Sequence, residues 1–513
     1  MRIVTALQMR DFDLKTIAAG TPGAVLMERA GFGAVGHLLE FTRLLDPVQV
    51  KRFVILAGKG NNGGDGYVCA RYLKQLTSCK VAVYSACDLS VLQGDAARNA
   101  GKLPDGIEVS FKPELCDRDF QSGDILIDGL LGTGFNGKLK PPYDQWMAVI
   151  NRSGRPVMAL DIPSGLNGND GSVGSDAVHA DLTVTIGMPK TGLYLDRGPE
   201  YCGRLRLVDI GIPAVFTARS ENDLNMPFAA DIAPRLGRLP VNSHKNTLGR
   251  VLVIGGSRAY GGAPFLSAAA AGRTGAGYVR LAVPRSAASE TTPWPSLVFS
   301  RVADADGEGT FSEVSIPEIT ALLERSDALV IGPGLGQSRS LVKFLDFFGR
   351  CPLPAVFDAD ALNLIAEIPA LYHGKDSSIL TPHPGEMKRL LTGFGLEEYL
   401  DQDRIAQVRA LADTVNSTIV LKGPQTIIGS PDGRLSINST GSPALAKAGS
   451  GDCLSGMIGA FAAQGMDAFE AAETAVFLHG LAGELSPLGM RGLRPEDLIE
   501  LIPAAMKYLS PFA

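Results

Sequence analysis

The chain is poor in cysteine and has no paired-cysteine motif: its seven cysteines are odd in number, scattered, and never spaced as CxxC. That excludes a disulfide scaffold and a zinc ribbon, and it points to reduced thiols in a reducing compartment. Basic runs are missing too. With a formal net charge of −6 and a pI near 5.7, the chain offers no counter-charge for a nucleic-acid partner. No apolar run reaches the roughly 20 residues that a membrane-spanning helix needs. The opening MRIVTALQMRDFDLK carries acids where a leader would have an apolar core, so a cytoplasmic protein with no membrane partner is expected. His37, His179 and His479 stand without a second His or Cys at metal-ligand spacing, and structural or solvated roles are expected for them.

What is present falls into two halves. At 513 residues the chain exceeds what one core usually spans. Domains are expected at 1–220 and 230–513, joined within GIPAVFTARSENDLNMPFAADIAPRLGRLP (Gly211 to Pro240). The most informative stretch is NSTGSPALAKAGSGDCLSGM, Asn438 to Met457. It places a glycine-lined turn and one acid before an apolar helix read as starting at Cys453. Small residues let backbone N–H groups approach an anion, and the helix dipole adds attraction, so this is the shape of a phosphate site. Asp452 then suits a proton acceptor for an attacking hydroxyl better than a phosphate ligand. An ordinary N-cap would use the same residue. Cys453 beside it reads as core.

Five apolar runs in this half, RVLVIGGS, DALVIGPGLG, PAVFDADALN, SSILTPHPGEM and TIVLKGPQT, read as buried strands followed by loops. Such runs separated by helical stretches mean a parallel sheet covered on both faces, with ligands beyond the carboxyl ends of its strands. His383, held between two prolines, is expected to orient substrate. Glu386, one turn on, fits a water-mediated Mg²⁺ contact or a first-turn acid favoured by the helix dipole.

The N-terminal half carries a second constellation. FVILAGKGNNGGDGYVCARYL (Phe53 to Leu73) is a strand, a loop with glycines at 60, 63, 64 and 66, and a helix. It is neither a Walker A loop nor a GxGxxG fingerprint, yet its N–H groups could cradle a pyrophosphate. ILIDGLLGTGFNG and VMALDIPSGLNG add two strand ends, each with an aspartate, Asp128 or Asp161, followed by small residues. Asn, Asp and Ser oxygens without sulfur or imidazole suit a hard cation. Loop capping would account for either aspartate alone.

The C-terminal half resembles the ribokinase-like fold and, within it, the ADP- or ATP-dependent NAD(P)H-hydrate dehydratases. HK (His244, Lys245), VIGGS, GGAP (Gly261 to Pro264), GAGYV, GPGLG, DADALN, TPHPGEM, KGPQT and NSTG…AGSGD follow the family's order over about 270 residues. Ser450 stands where relatives often have Thr. The N-terminal half resembles the NAD(P)H-hydrate epimerase domain over about 210 residues, including TALQMRDFD and VLMERAGFG, with Arg29 at a position often Asn. The implied architecture is α/β in two domains, an N-terminal Rossmann-like three-layer α/β sandwich and a C-terminal ribokinase-like α/β domain.

The resemblance also implies sites. Asn62, Asp128 and Ser164 would help hold a potassium ion. Asn61, Asn62, Gly63, Gly64 and Asp65, with Gly132, Thr133, Gly134, Phe135, Asn136, Gly137, Lys138 and Asp161, would bind the cofactor hydrate. Lys422, Gly423, Pro424, Gln425, Thr426 and Gly451 would contact the nucleotide, while Ala263, Gly334, His383 and Asp452 face the hydrated nicotinamide. The implied activity is repair of NADHX and NADPHX. An epimerase with Asp161 as candidate acid/base interconverts the C6 epimers. A dehydratase then spends ADP or ATP with Mg²⁺ on the S form, Asp452 taking the hydroxyl proton and N–H groups from Gly449 to Gly451 steadying the phosphoryl group. ADP, giving AMP and phosphate, is favoured by the resemblance to microbial two-domain forms, and a homo-oligomer is expected. Two other readings are a vitamin-precursor-type small-molecule kinase fused to a nucleotide-binding module, and an N-terminal half that only binds or scaffolds.

Overall fold

The computed structural model describes residues 2–43, 50–218, 224–288, 295–304 and 309–512. Two compact units divide the chain, Arg2–Ser220 and Glu221–Ala513.

The first unit is built on seven strands: β1 (Arg52–Ala57), β2 (Lys80–Ser85), β3 (Glu108–Phe111), β4 (Asp124–Gly129), β5 (Val157–Leu160), β6 (Leu182–Ile186) and β7 (Arg204–Val208). Every neighbouring pair is parallel, in the order β3-β2-β1-β4-β5-β6-β7. Side chains alternate across a strand, and here both faces are covered. Phe53 and Ile55 pack with Leu38, Tyr67 and Leu73 on one side, whereas Val54 and Leu56 pack with Trp146, Met147 and Ile150 on the other. Three layers result. The strand order reverses between β1 and β4, so the loops leaving these strands part to form a crevice.

Ten strands make the second sheet: β8 (Leu224–Asn225), β9 (Arg250–Ile254), β10 (Tyr278–Pro284), β11 (Val298–Val302), β12 (Ala328–Ile331), β13 (Ala355–Phe357), β14 (Ser378–Leu380), β15 (Thr418–Leu421), β16 (Ile427–Gly429) and β17 (Leu435–Ile437). Their order is β11-β10-β9-β12-β13-β14-β15-β16-β17-β8. The run from β11 to β15 is parallel, and the hairpin β16–β17 continues it antiparallel. All five apolar runs picked out in the sequence are strands here. β8 pairs with β17 at the far edge, which brings residues upstream of 230 into this unit.

The helix Ser450–Ala463 is buried over most of its length and packs on the helix Ala263–Arg273. The approach is so close that a Cβ on Gly456 would lie 1.9 Å from the Ser267 carbonyl oxygen. At the helix's N-terminal end, a Cβ on Gly451 would lie 3.4 Å from Lys422 Nζ, just beyond β15. No helix among the described residues is long and apolar enough to cross a membrane.

Each unit has its own sheet and core, so residues 1–220 and 221–513 expressed apart should each unfold in one cooperative transition. Thermal unfolding followed by circular dichroism checks this, and a piece without a sigmoidal transition would contradict it.

Two candidate active sites

In the first unit the loops after β1, β4, β5 and β6 surround a cavity of about 1020 Å³. Asn61, Asn62, Asp65, Gly132, Thr133, Gly134, Phe135, Asn136, Lys138 and Asp161 line it. Gly63, Gly64 and Gly137 do not line it. A Cβ on Gly63 would sit 2.1 Å from the Gly58 carbonyl oxygen and one on Gly64 would sit 2.7 Å from Met27 Cε, so these two glycines seat the helix Asn61–Leu76 against its neighbours. Arg29 also stands apart from the cavity lining, donating to the Ile210 carbonyl at 2.8 Å.

Beside this cavity Asp128, at the end of β4, is fully buried. Its carboxylate accepts from Leu130 N at 3.1 Å, Ser164 N at 2.8 Å and Ser164 Oγ at 2.6 Å. Ser164 Oγ in turn accepts from Leu131 N at 2.9 Å, and Asn62 Nδ2 donates to Leu131 O at 2.8 Å. Asp128 therefore does cap the loops, as its alternative reading had it, yet the set is not closed. Asn62 Oδ1 is buried with no hydrogen-bond partner, an oxygen that costs free energy unless something meets it. Burial pushes the Asp128 carboxyl up to about 6, against the pull of the Ser164 and Leu130 hydrogen bonds. Among the described residues no three His, Cys, Asp or Glu side chains gather as a metal group. An ion held here would be met chiefly by neutral oxygens.

Asp161 has a backbone φ of +64°, rare for a residue with a side chain. Its Oδ1 receives Lys190 Nζ at 2.5 Å and Ile186 N at 3.0 Å. Lys190, only 1% exposed, also donates to Ile186 O at 2.6 Å. Sequence reasoning missed Lys190: within GMPKTG it follows β6 with no charge pattern to mark it, and only the fold brings it to Asp161. Asp65 is pushed well up by burial, reinforced by Asp161 and Asp13.

In the second unit the helix runs from Ser450, three residues before the start read from sequence, because Gly449 at φ +94° supplies the turn. Asp452 thus lies inside the first turn and makes no cap hydrogen bond, which removes the N-cap reading. Ser450 N bonds to Lys447 O at 3.2 Å, so of the amides expected to meet a phosphoryl group this one is already engaged. His479 is not isolated: its Nε2 lies 3.0 Å from Ser450 O and 3.1 Å from Ser450 Oγ, and burial pulls its pKa down to about 4.

Around Asp452 gather Asp358, Glu386 and Lys422. Lys422 Nζ pairs with Asp358 Oδ1 at 2.7 Å and lies 4.0 Å from Glu386 Oε2. Burial would lower the Lys422 ammonium, but Asp358 and Glu386 outweigh it and hold it above its usual range. Asp452 is raised to about 7 by burial, with Asp358 adding and Lys422 opposing, and Glu386 also reaches about 7 through burial. His383 caps the helix Pro384–Gly393, its Nδ1 accepting from Gly385 N at 3.0 Å while Glu386 Oε2 accepts from His383 N at 2.8 Å. Glu386 is thus both a first-turn acid and part of the cluster. Gly336 N donates to Asp360 Oδ2 at 2.8 Å, joining the loop of Gly334 to the loop after β13. The KGPQT loop follows β15: Gly423 and Pro424 are exposed, Gln425 takes φ +44°, and Thr426 Oγ1 donates to Gly423 O at 3.1 Å. Ala263 opens its helix. The role of Asp358 was not read from DADALN, although the motif itself stood out.

Each sheet thus carries its own cluster of charged groups at its strand ends, as befits an α/β enzyme with two separate centres. Comparison with known proteins agrees. The family described as NAD(P)H-hydrate dehydratase matches residues 251–504, and that described as YjeF-related protein N-terminus matches residues 23–192. A bifunctional NAD(P)H-hydrate repair enzyme of Coxiella burnetii is 37% identical over 96% of both chains, and one of Moorella thermoacetica is 34% identical over 99% of this chain and 97% of that one. Among solved structures, the ADP/ATP-dependent NAD(P)H-hydrate dehydratase from Bacillus subtilis, co-crystallised with ATP/Mg²⁺, is 30% identical over 55% of this chain and 97% of that chain, with a TM-score of 0.46. The chain belongs to the family of bifunctional NAD(P)H-hydrate repair enzymes.

Lys190→Met would leave Asp161 without its cation. The variant should lose about 3 kcal/mol, the scale for breaking a buried ion pair from one side. Urea denaturation at pH 7 measures this, and parental stability would show that Asp161 does not need the pair.

Proposed function

We propose that the N-terminal centre interconverts the R and S epimers of NADHX and NADPHX at C6, and that the C-terminal centre dehydrates the S form to NAD(P)H with ADP as phosphoryl donor, giving AMP and phosphate. The observation that carries the second assignment is Asp452, a carboxyl raised to about 7 in the first turn of a buried helix, next to the Lys422–Asp358 pair. A hydroxyl on C6 departs poorly; once phosphorylated it can be expelled by the ring nitrogen. Asp452 takes the hydroxyl proton, and a base with this pKa suits transfer near neutral pH. Lys422 and the Gly451 amide at the helix end face the phosphates of the donor. The exposed Gly423–Pro424 turn is proposed to hold the nucleotide base and sugar. Ala263, Gly334 and His383 would frame the nicotinamide. Asp358 and Glu386 offer the hard oxygens that would hold Mg²⁺, which neutralises phosphate charge when bound with the donor.

At the first centre, Asn61, Asp65, Gly132 to Asn136, Lys138 and Asp161 would bind the hydrate within the cavity they line, with Asp161 as acid/base. Asn62, Asp128 and Ser164 with the Leu131 carbonyl are the residues that would hold K⁺: one carboxylate among neutral oxygens matches a monovalent ion, and the unpartnered Asn62 Oδ1 supports it. Such an ion would offset part of the pyrophosphate charge. All seven cysteines are free, which supports a cytoplasmic setting. A homo-oligomer is proposed as well.

Asp452→Asn should lower ADP-dependent dehydration by roughly two to four orders of magnitude and leave epimerisation intact. In the wild type the base must be ionised, so the dehydration rate should climb with pH through about 7 and level off above it. Restored absorbance of the reduced nicotinamide reports both. A phosphorylated product that accumulates would instead indicate a small-molecule kinase.

Epimerisation should depend on K⁺ more than on Mg²⁺, and Asp128→Ala should damage it while dehydration continues. Polarimetric or chromatographic separation of the epimers checks this. Indifference to monovalent salt together with inhibition by a divalent chelator would count against the potassium site.

A further inference from the structure

We infer that Asp13, on the first helix of the N-terminal unit, is the general acid of the epimerase centre and works opposite Asp161 as its base. The inference rests on the epimerase reading above and adds a residue to it.

Asp13 belongs to the helix Ala6–Ala18, whose start is fixed by a capping box between Thr5 and Gln8. Met9, Phe12 and Thr16 bury the inner side of this helix, and Asp13 comes to the cavity wall beside them, in the same cavity as Asp65, Asp161 and Lys190. The two carboxyls meet opposite surroundings. Asp161 Oδ1 gathers three donors, from Lys190 Nζ, Ile186 N and Thr185 Oγ1. Asp13 Oδ1 is buried and has no partner. An ionised Asp13 would leave a charged oxygen without a donor, which the neutral acid avoids. Carboxyls in one site whose environments differ in this way divide into acid and base. Burial also pushes Asp13 up to about 6, with Lys190 opposing and Asp161 adding. Asp161 after β5, Lys190 after β6 and Asp65 on the helix Asn61–Leu76 act on it electrostatically, and Arg10, Lys59, Asp95, Lys138 and Lys140 are the other charged groups that line the cavity.

In the hydrate, C6 carries the hydroxyl and is bonded to the ring nitrogen. Asp161 takes the O–H proton, the C6–O bond becomes a carbonyl, the C6–N bond breaks, and Asp13 gives its proton to the nitrogen. Rotation about C5–C6 turns the other face of the aldehyde to the N–H. Closure returns one proton to Asp13 and the other, from Asp161, to the new hydroxyl oxygen. No atom or electron is gained or lost, and no nucleotide is needed.

The test uses the full chain and purified R-NADHX without ADP. Asp13→Asn should lower kcat for epimerisation by roughly two to four orders of magnitude while KM moves by less than about threefold, and ADP-dependent dehydration of the S form should persist. The acid must be protonated, so wild-type kcat/KM should fall as pH rises through about 6, and that limb should vanish in Asp13→Asn. Asp13→Glu, which keeps the acid, should recover part of the rate and the limb. An Asp13→Asn variant with wild-type kcat overturns the proposal. So does a Glu variant as inert as the Asn variant, or loss of both rate and limb in Asp65→Asn but not in Asp13→Asn. If the wild type itself does not epimerise while still dehydrating, the epimerase reading fails instead.

Discussion

The two centres depend on a steric constraint at the points where each sheet reverses its strand order. Gly58 follows β1 directly, and a Cβ there would lie 1.8 Å from the Leu130 carbonyl oxygen just beyond β4. Gly255 follows β9, and its Cβ would lie 2.3 Å from the Pro333 carbonyl oxygen beyond β12. In both sheets the loops of the two strands that flank the reversal touch backbone to backbone, which a residue with a side chain would forbid. That contact brings Asn62 to Leu131 in one unit and Gly255 against the Gly334 loop in the other.

Both centres then use the same electrostatic device. A lysine with little exposure is clamped to one aspartate, Lys190 to Asp161 and Lys422 to Asp358, while further carboxyls stand close without an ion pair of that quality. Burial acts on these others, raising Asp13 to about 6 and Glu386 and Asp452 to about 7. A low-dielectric pocket thus sets a lysine-paired carboxyl beside others that burial makes easier to protonate. The outcome differs because the partners differ: β-strand ends and a glycine-rich loop at the first centre, the positive end of a buried helix at the second.

Much of this was legible in the chain. Uninterrupted V/I/L runs such as RVLVIGG and FVILAG reveal parallel strands because both faces must be apolar, and glycine-rich strand ends reveal where ligands approach. Local pattern carried less about short or edge elements. The hairpin β16–β17 has three-residue strands, and β8 has two residues that become a strand only by pairing with β17, far away in sequence. The helix start at Ser450 was read late because its turn is a φ value at Gly449. Lys190, Asp13 and His479 escaped for another reason: their importance lies in what the fold sets beside them, and no spacing in the sequence encodes Lys190 against Asp161 or His479 against Ser450.

The hydrogen-bond chain through Asp128 ties three strand ends into one object: Leu130 and Leu131 beyond β4, Ser164 beyond β5 and Asn62 beyond β1 all hang on it. Its members are therefore not separable in their mutational effects. Removing the Ser164 hydroxyl takes one of the three donors from Asp128 and the acceptor from Leu131 N, so a later change at Asp128 would find part of the damage already done. Such positions are epistatic, and the path by which drift could replace them runs through double substitutions.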